Sequence, residues 1–89
     1  MEHTQIDLHK KVVGLFGEHN TGLSKTIRML KMLTGKGTED IAEHSGYSPG
    51  QIENVLRGHR GMQAGVKRGI EKTYGFDVLD EYNNAATKQ

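Results

Sequence analysis

Five histidines, His3, His9, His19, His44 and His59, are the side chains of this 89-residue chain best suited to holding a transition metal. No two of them stand at the i, i+4 interval that stacks imidazoles on one helical face, and there is no cysteine to complete a ligand set. They read as surface residues, and neither a metal nor any other cofactor is expected. Gly35-Lys36-Gly37-Thr38 has the residue types of a phosphate-cradling loop, but the earlier glycine and the preceding strand that such a loop needs are missing. It reads as a turn between helices. Covalent or acid–base chemistry needs a nucleophile, a base and an orienting acid together, and no such set can be nominated. The chain is not expected to be an enzyme.

Charge is more informative in its placement than in its sum of +1. Lys25, Arg28, Lys31 and Lys36 fall in a stretch without acids, and Arg57, Arg60, Lys67, Arg68 and Lys72 are opposed only by Glu71. The acids gather at Glu39, Asp40 and Glu43 and again at Asp77, Asp80 and Glu81. Two readings stand: ordinary solvated faces, or a basic surface able to displace counterions from phosphates.

These side chains must be positioned by a small core. The length suits one domain, and its apolar residues are mainly Ile, Leu, Val and Met. Without cysteine there is no disulfide framework, and packing, with or without a partner subunit, must hold the fold. No apolar run approaches the ~18 residues that span a bilayer, and the first residues lack the basic-then-apolar order of a signal peptide, so a cytoplasmic location is expected.

Helical periodicity recurs between glycines and no useful β-alternation appears, which predicts an all-α bundle of five or six helices. Leu8, Val12, Leu15 and Phe16 predict the buried stripe of a first helix, closed by Gly17 and the Asn20-Thr21-Gly22 turn. Ser24 is expected to cap a second helix burying Ile27, Leu30 and Leu33 and ending at Gly35 or Gly37. Thr38 is the expected N-cap of a third, with Glu39 and Asp40 in its first turn, and Gly46 ends it. Ser48-Pro49-Gly50-Gln51 is a capping box with proline at the first helical position, so a fourth helix starts there and buries Ile52, Val55 and Leu56 before Gly58 stops it. Met62, Val66, Ile70 and Tyr74 mark a fifth helix closed by Gly75. Phe76, Leu79 and Tyr82 suggest a last short one, before a polar tail, residues 83–89, expected to fray.

The segment from Thr38 to Gly58, TEDIAEHSGYSPGQIENVLRG, resembles the helix-turn-helix of the phage Cro and repressor (Xre-like) group. A small residue, Ala42, sits four before the turn glycine Gly46, and Ile52 follows it by six. The resemblance extends from about Ser24 to Phe76. It implies a lambda-repressor-like fold, with an extension helix over residues 1–20 ahead of a DNA-binding unit over residues 21–82. It also implies a transcriptional regulator of phage or mobile-element type, usually a repressor binding an inverted repeat of double-stranded DNA as a homodimer, with helix 49–57 in the major groove. Three features depart from the pattern: Ser45 stands where an apolar residue is usual, Glu39 and Asp40 crowd a helix start that approaches phosphate, and residues 1–20 lie outside it. The extension is either a dimerisation arm or another wall of the core, the latter being favoured.

If Ile52, Val55 and Leu56 point inward, then Gly50, Asn54 and Arg57 point most directly outward, flanked by Gln51 and Glu53. On that geometry Asn54 and Gln51 are candidates for adenine, Arg57 for guanine or phosphate, and Gly50 for close backbone approach. The alternatives are structural: Gln51 completing the capping box, Arg57 meeting the helix C-terminus, Glu53 only solubilising. Lys36, Thr38, Ser48, His59 and Arg60 are candidates for phosphate contact, with Lys67 and Arg68 either joining them or covering the opposite surface. Gly61, Gly65 and Gly69 would line one helical face and permit close packing, within the fold or across a dimer, or else simply weaken the helix. A protein-binding role on the same fold, as antitoxin or adaptor, is the alternative function, kept alive by Gly50 and the acids at Glu39 and Asp40.

Overall fold

The computed structural model describes residues 2–87, with side chains from Gln5 to Thr87; the side chain of His3 and the last two residues of the expected tail lie outside the described residues. Within them the chain forms six helices: α1 (Glu2–Glu18), α2 (Leu23–Thr34), α3 (Thr38–Ser45), α4 (Pro49–Leu56), α5 (Ala64–Tyr74) and α6 (Val78–Thr87). α1 packs on α6, α3 is wedged against both α5 and α4, and α2 joins the two groups by touching α1 and α4. The radius of gyration, 12.0 Å, is that of a close-packed chain of this length.

The C-terminal ends of α1, α2, α3 and α5 can each be traced to a residue. α2, α3 and α5 close on Gly35, Gly46 and Gly75, each left-handed and each donating its N–H to the carbonyl four residues back. α1 closes on Asn20, also left-handed at φ 52°, with Thr21 N–H reaching the Phe16 carbonyl at 3.0 Å. Gly46 is the position where this matters most. Its φ is 80°, and a side chain there would meet nothing within 4 Å, so the requirement for glycine is wholly a backbone one. Gly46→Val is expected to cost at least about 1–2 kcal/mol, read as a fall in thermal midpoint of roughly 4–8 °C per kcal/mol for a domain of this size.

Two predicted caps are corrected. α3 is capped by Gly37 and not Thr38, which becomes the first helical residue. Gly37 is buried with the Lys31 stem pressed against it, so a side chain there would have to displace that stem, and Asp40 does the capping from inside the helix by accepting the Gly37 N–H at 2.9 Å. α2 starts at Leu23, ahead of Ser24, because Gly22 is fixed from outside: its N–H donates to the Tyr82 hydroxyl at 2.8 Å, and its carbonyl accepts both the amide and the hydroxyl of Thr26. That hydroxyl bond lets Thr26 be fully buried, in a place where periodicity predicts only aliphatics.

The buried faces of the first two helices also shift. α1 turns Val13 into the core with Ile6 and Phe16 beside it, while Leu8 and Leu15 are 52% and 53% exposed. On α2, Leu33 is exposed and Met32 is 80% exposed, whereas Ile27 and Leu30 are buried as predicted. α1 therefore forms a wall of the core, and the reason is Gly17: a Cβ there would lie 2.3 Å from the Tyr82 carbonyl oxygen, so α1 and α6 meet almost backbone to backbone. This contact, with Ala86 packed on the core, keeps residues 83–87 helical where composition predicts fraying.

α5 approaches α3 in the same way. A Cβ on Gly69 would come within 2.9 Å of the Ser45 Cβ and 3.0 Å of the Ile41 carbonyl oxygen, and one on Gly65 within 3.2 Å of the Tyr47 ring. The glycine spacing thus serves close packing within the fold at Gly65 and Gly69. Gly61 has open space around it and precedes the helix, as does Met62, which is exposed.

Candidate nucleic-acid interface

Most of the predicted site residues stand on α4 and in the loops before and after the α3–α4 pair. Apolar spacing decides which way α4 faces: Ile52, Val55 and Leu56 are buried, and Gly50, Gln51, Asn54 and Arg57 are exposed. Its start is held by both halves of the capping box, Ser48 Oγ accepting the Gln51 N–H at 3.2 Å and Gln51 Oε1 accepting the Ser48 N–H at 2.9 Å. Its end is a Schellman motif on Gly58, with Gly58 N–H bonded to the Val55 carbonyl at 3.1 Å and His59 N–H to the Asn54 carbonyl at 2.9 Å. Four exposed positions therefore sit on a short helix fixed at both ends.

Those four are not equivalent. Gln51 commits its amide oxygen to the cap, and bidentate recognition of a base by an amide needs that oxygen and the nitrogen together. Releasing it would forfeit part of a cap worth about 1 kcal/mol. Among the described residues, Asn54 has no side-chain partner, so both its donor and its acceptor remain available. Arg57 ends the helix, and its Nε lies 3.3 Å from Glu53 Oε2, an i, i+4 ion pair. Arg57 is exposed but Glu53 Oε2 is buried with no hydrogen-bond partner among the described residues, so the pair contributes at least the about 0.3–0.5 kcal/mol of an exposed i, i+4 pair, and drawing the guanidinium to another anion leaves that oxygen uncompensated. An added Cβ on Gly50 would meet nothing within 4 Å, so this position is open to an approaching surface.

His59 and Arg60 lie exposed in the loop between α4 and α5. Tyr47 ties the two turns together: its hydroxyl is hydrogen-bonded to Gln63 Oε1 at the start of α5, and its ring rests against Gly65. Lys36 lies exposed in the α2–α3 loop, with its backbone N–H and its carbonyl both held. Thr34 Oγ1 accepts its N–H at 3.0 Å, and the Tyr74 hydroxyl donates to its carbonyl at 2.8 Å. Burial, and secondarily the nearby Asp40 carboxylate, pushes the Tyr74 phenol above its ordinary value, so it stays protonated and remains a donor.

Of the remaining candidates, Ser48 is exposed with its hydroxyl in the cap, and Thr38 is half-buried in the first turn of α3. Lys67 is paired with Asp77 at 3.7 Å and Arg68 is exposed on α5. Glu39 and Glu43 are exposed one turn apart on α3, while Asp40 is turned to its capping role. Periodicity could not identify Tyr47, Tyr74 and Thr34 as supports of the site, because each acts through a hydroxyl on a loop distant in sequence or on an irregular backbone.

Among the described residues no group of three histidine, aspartate or glutamate side chains comes together as a metal-ligand set, and no helix is long and apolar enough to cross a membrane. Comparison with known proteins finds no match: no family model, no curated protein and no solved structure aligns significantly with the chain.

Proposed function

We propose that α3 and α4 form a DNA-binding helix-turn-helix and that the protein is a sequence-specific transcriptional regulator, acting in the cytoplasm as a homodimeric repressor on an inverted repeat. One observation carries this reading: α4 is anchored on one face by Ile52, Val55 and Leu56 and leaves Gly50, Asn54 and Arg57 exposed on the other, with His59 and Arg60 in the loop that follows it and Lys36 in the loop before α3. A short rigid helix with an amide and a guanidinium on its free face, flanked by cations, has the chemistry for base edges in a major groove and phosphates at its rims. The resemblance of residues 38–58 to the Cro and repressor group supports the same assignment.

The test is selection from a random duplex pool, with the winning sequence titrated at several salt concentrations. An inverted repeat with half-sites about 34 Å apart is expected, with affinity falling steeply as salt rises. Arg57→Ala is expected to lower the melting temperature by a few degrees, through loss of the Glu53 pair, and to weaken binding to the selected operator by about 1–3 kcal/mol; undiminished affinity would remove Arg57 from the base-reading set.

A second reading, a protein-binding module such as an antitoxin or adaptor, is favoured by the apolar side chains left outside, Leu8, Leu15, Met32 and Leu33, and by the exposed acids Glu39 and Glu43. Failure to enrich any duplex, with weak binding even at low salt, would favour it.

A further inference from the structure

The α2–α3 loop contains two glycines around a lysine, a composition that would ordinarily leave the backbone free. Here every peptide group from Lys36 to Gly37 N–H is fixed by a side chain. Thr34 Oγ1 accepts the Lys36 N–H while donating to the Leu30 carbonyl at 2.7 Å, Tyr74 donates to the Lys36 carbonyl from 38 residues away, and Asp40 accepts the Gly37 N–H. Tyr74 is buried with its ring among the core residues, so its hydroxyl is a fixed point of the fold. The Lys36 side chain, which none of these bonds uses, is exposed beside the start of α3.

We propose that Tyr74 is a positioning residue for Lys36, holding its carbonyl so that the ammonium meets one DNA phosphate beside the start of α3. This rests on the DNA-binding reading above. A lysine on a mobile glycine loop would lose conformational entropy on contact; one whose backbone is already fixed loses only that of its side chain, which makes the contact stronger. Thr34 holds the preceding peptide through the Lys36 N–H, which gives a second handle at a half-buried position outside the core.

The experiment measures affinity for the selected operator against salt for the parent protein, Lys36→Ala, Tyr74→Phe, Thr34→Val, and the doubles of each brace variant with Lys36→Ala. Lys36→Ala is expected to lower the salt slope by about one unit, the contribution of a single phosphate. Tyr74→Phe and Thr34→Val are each expected to lower it by a large part of that unit, and neither should lower it further once Lys36 is alanine. A hydroxyl that only stabilised the fold would lower the melting temperature and leave the slope unchanged. If both brace variants keep the parent slope, or if they lower it equally in the Lys36→Ala background, the positioning role is overturned while DNA binding stands. If the parent binds no duplex, the DNA reading falls and the role of Tyr74 with it.

Discussion

Gly17→Ala is expected to destabilise the protein by about 3 kcal/mol, the upper end of the range for overpacking, although the same exchange in a free helix would stabilise by roughly 1 kcal/mol. The sign is decided by what the new methyl would meet. It would lie 2.3 Å from the Tyr82 carbonyl oxygen and 3.1 Å from the Ala85 Cβ. A side chain could rotate away; a backbone carbonyl inside α6 cannot, so the two helices must separate or α6 must shift. Separation would also pull on the Tyr82 hydroxyl, which fixes Gly22 and with it the start of α2. Gly14, one turn earlier on α1, is the control. An added Cβ there meets nothing within 4 Å, so Gly14→Ala is expected to stabilise by about 0.5–1 kcal/mol. Urea unfolding of the two variants should therefore move in opposite directions. A similar gain from both would show that α1 does not pack closely on α6.

That contact also marks the limit of what periodicity could reveal. Local signals identified α4 almost completely: Ser48, Pro49 and Gln51 specify its start, Gly58 its end and three aliphatics its inner face, because each of these effects operates within one or two turns. Periodicity on α1 places Leu8 and Leu15 in the core and leaves Val13 out, the reverse of what is found. On α1 two apolar stripes are available, and only the partner helix chooses between them. Here the choice falls to Gly17 and to α6, a helix that composition alone would have shortened. Ser45, which departs from the expected apolar residue, faces Gly69, 24 residues away, where a Cβ would come within 2.9 Å of its own. Thr38 and Ser24 failed as caps for a related reason. A glycine fixed by a distant group, or backed by the stem of Lys31, can begin a helix as well as a hydroxyl can.

α4 offers the sharpest separation between fold and function, since its two faces should respond to mutation in different measurements. Ile52 has no exposed surface, and Ile52→Ala is expected to cost about 2–5 kcal/mol, depending on how far the core can collapse around the lost atoms. Against the roughly 5–15 kcal/mol by which a domain of this kind is stable, that is a large fraction, visible in any unfolding curve. Asn54, two residues on and on the outer face, touches no other described side chain through a hydrogen bond, so Asn54→Ala should leave the unfolding curve in place. If the amide reads an adenine, the variant should lose about 1–3 kcal/mol on the selected operator and discriminate less at one base pair per half-site. The contrast with Gln51 follows from the cap. Gln51→Ala should lower stability by about 1 kcal/mol while changing sequence preference little, because its amide oxygen already has a partner within the helix start. Were Gln51→Ala to alter base preference and Asn54→Ala not, the helix would have to meet DNA through its first turn, with the capping box opened on binding, and Gly50 rather than Asn54 would mark the point of closest approach.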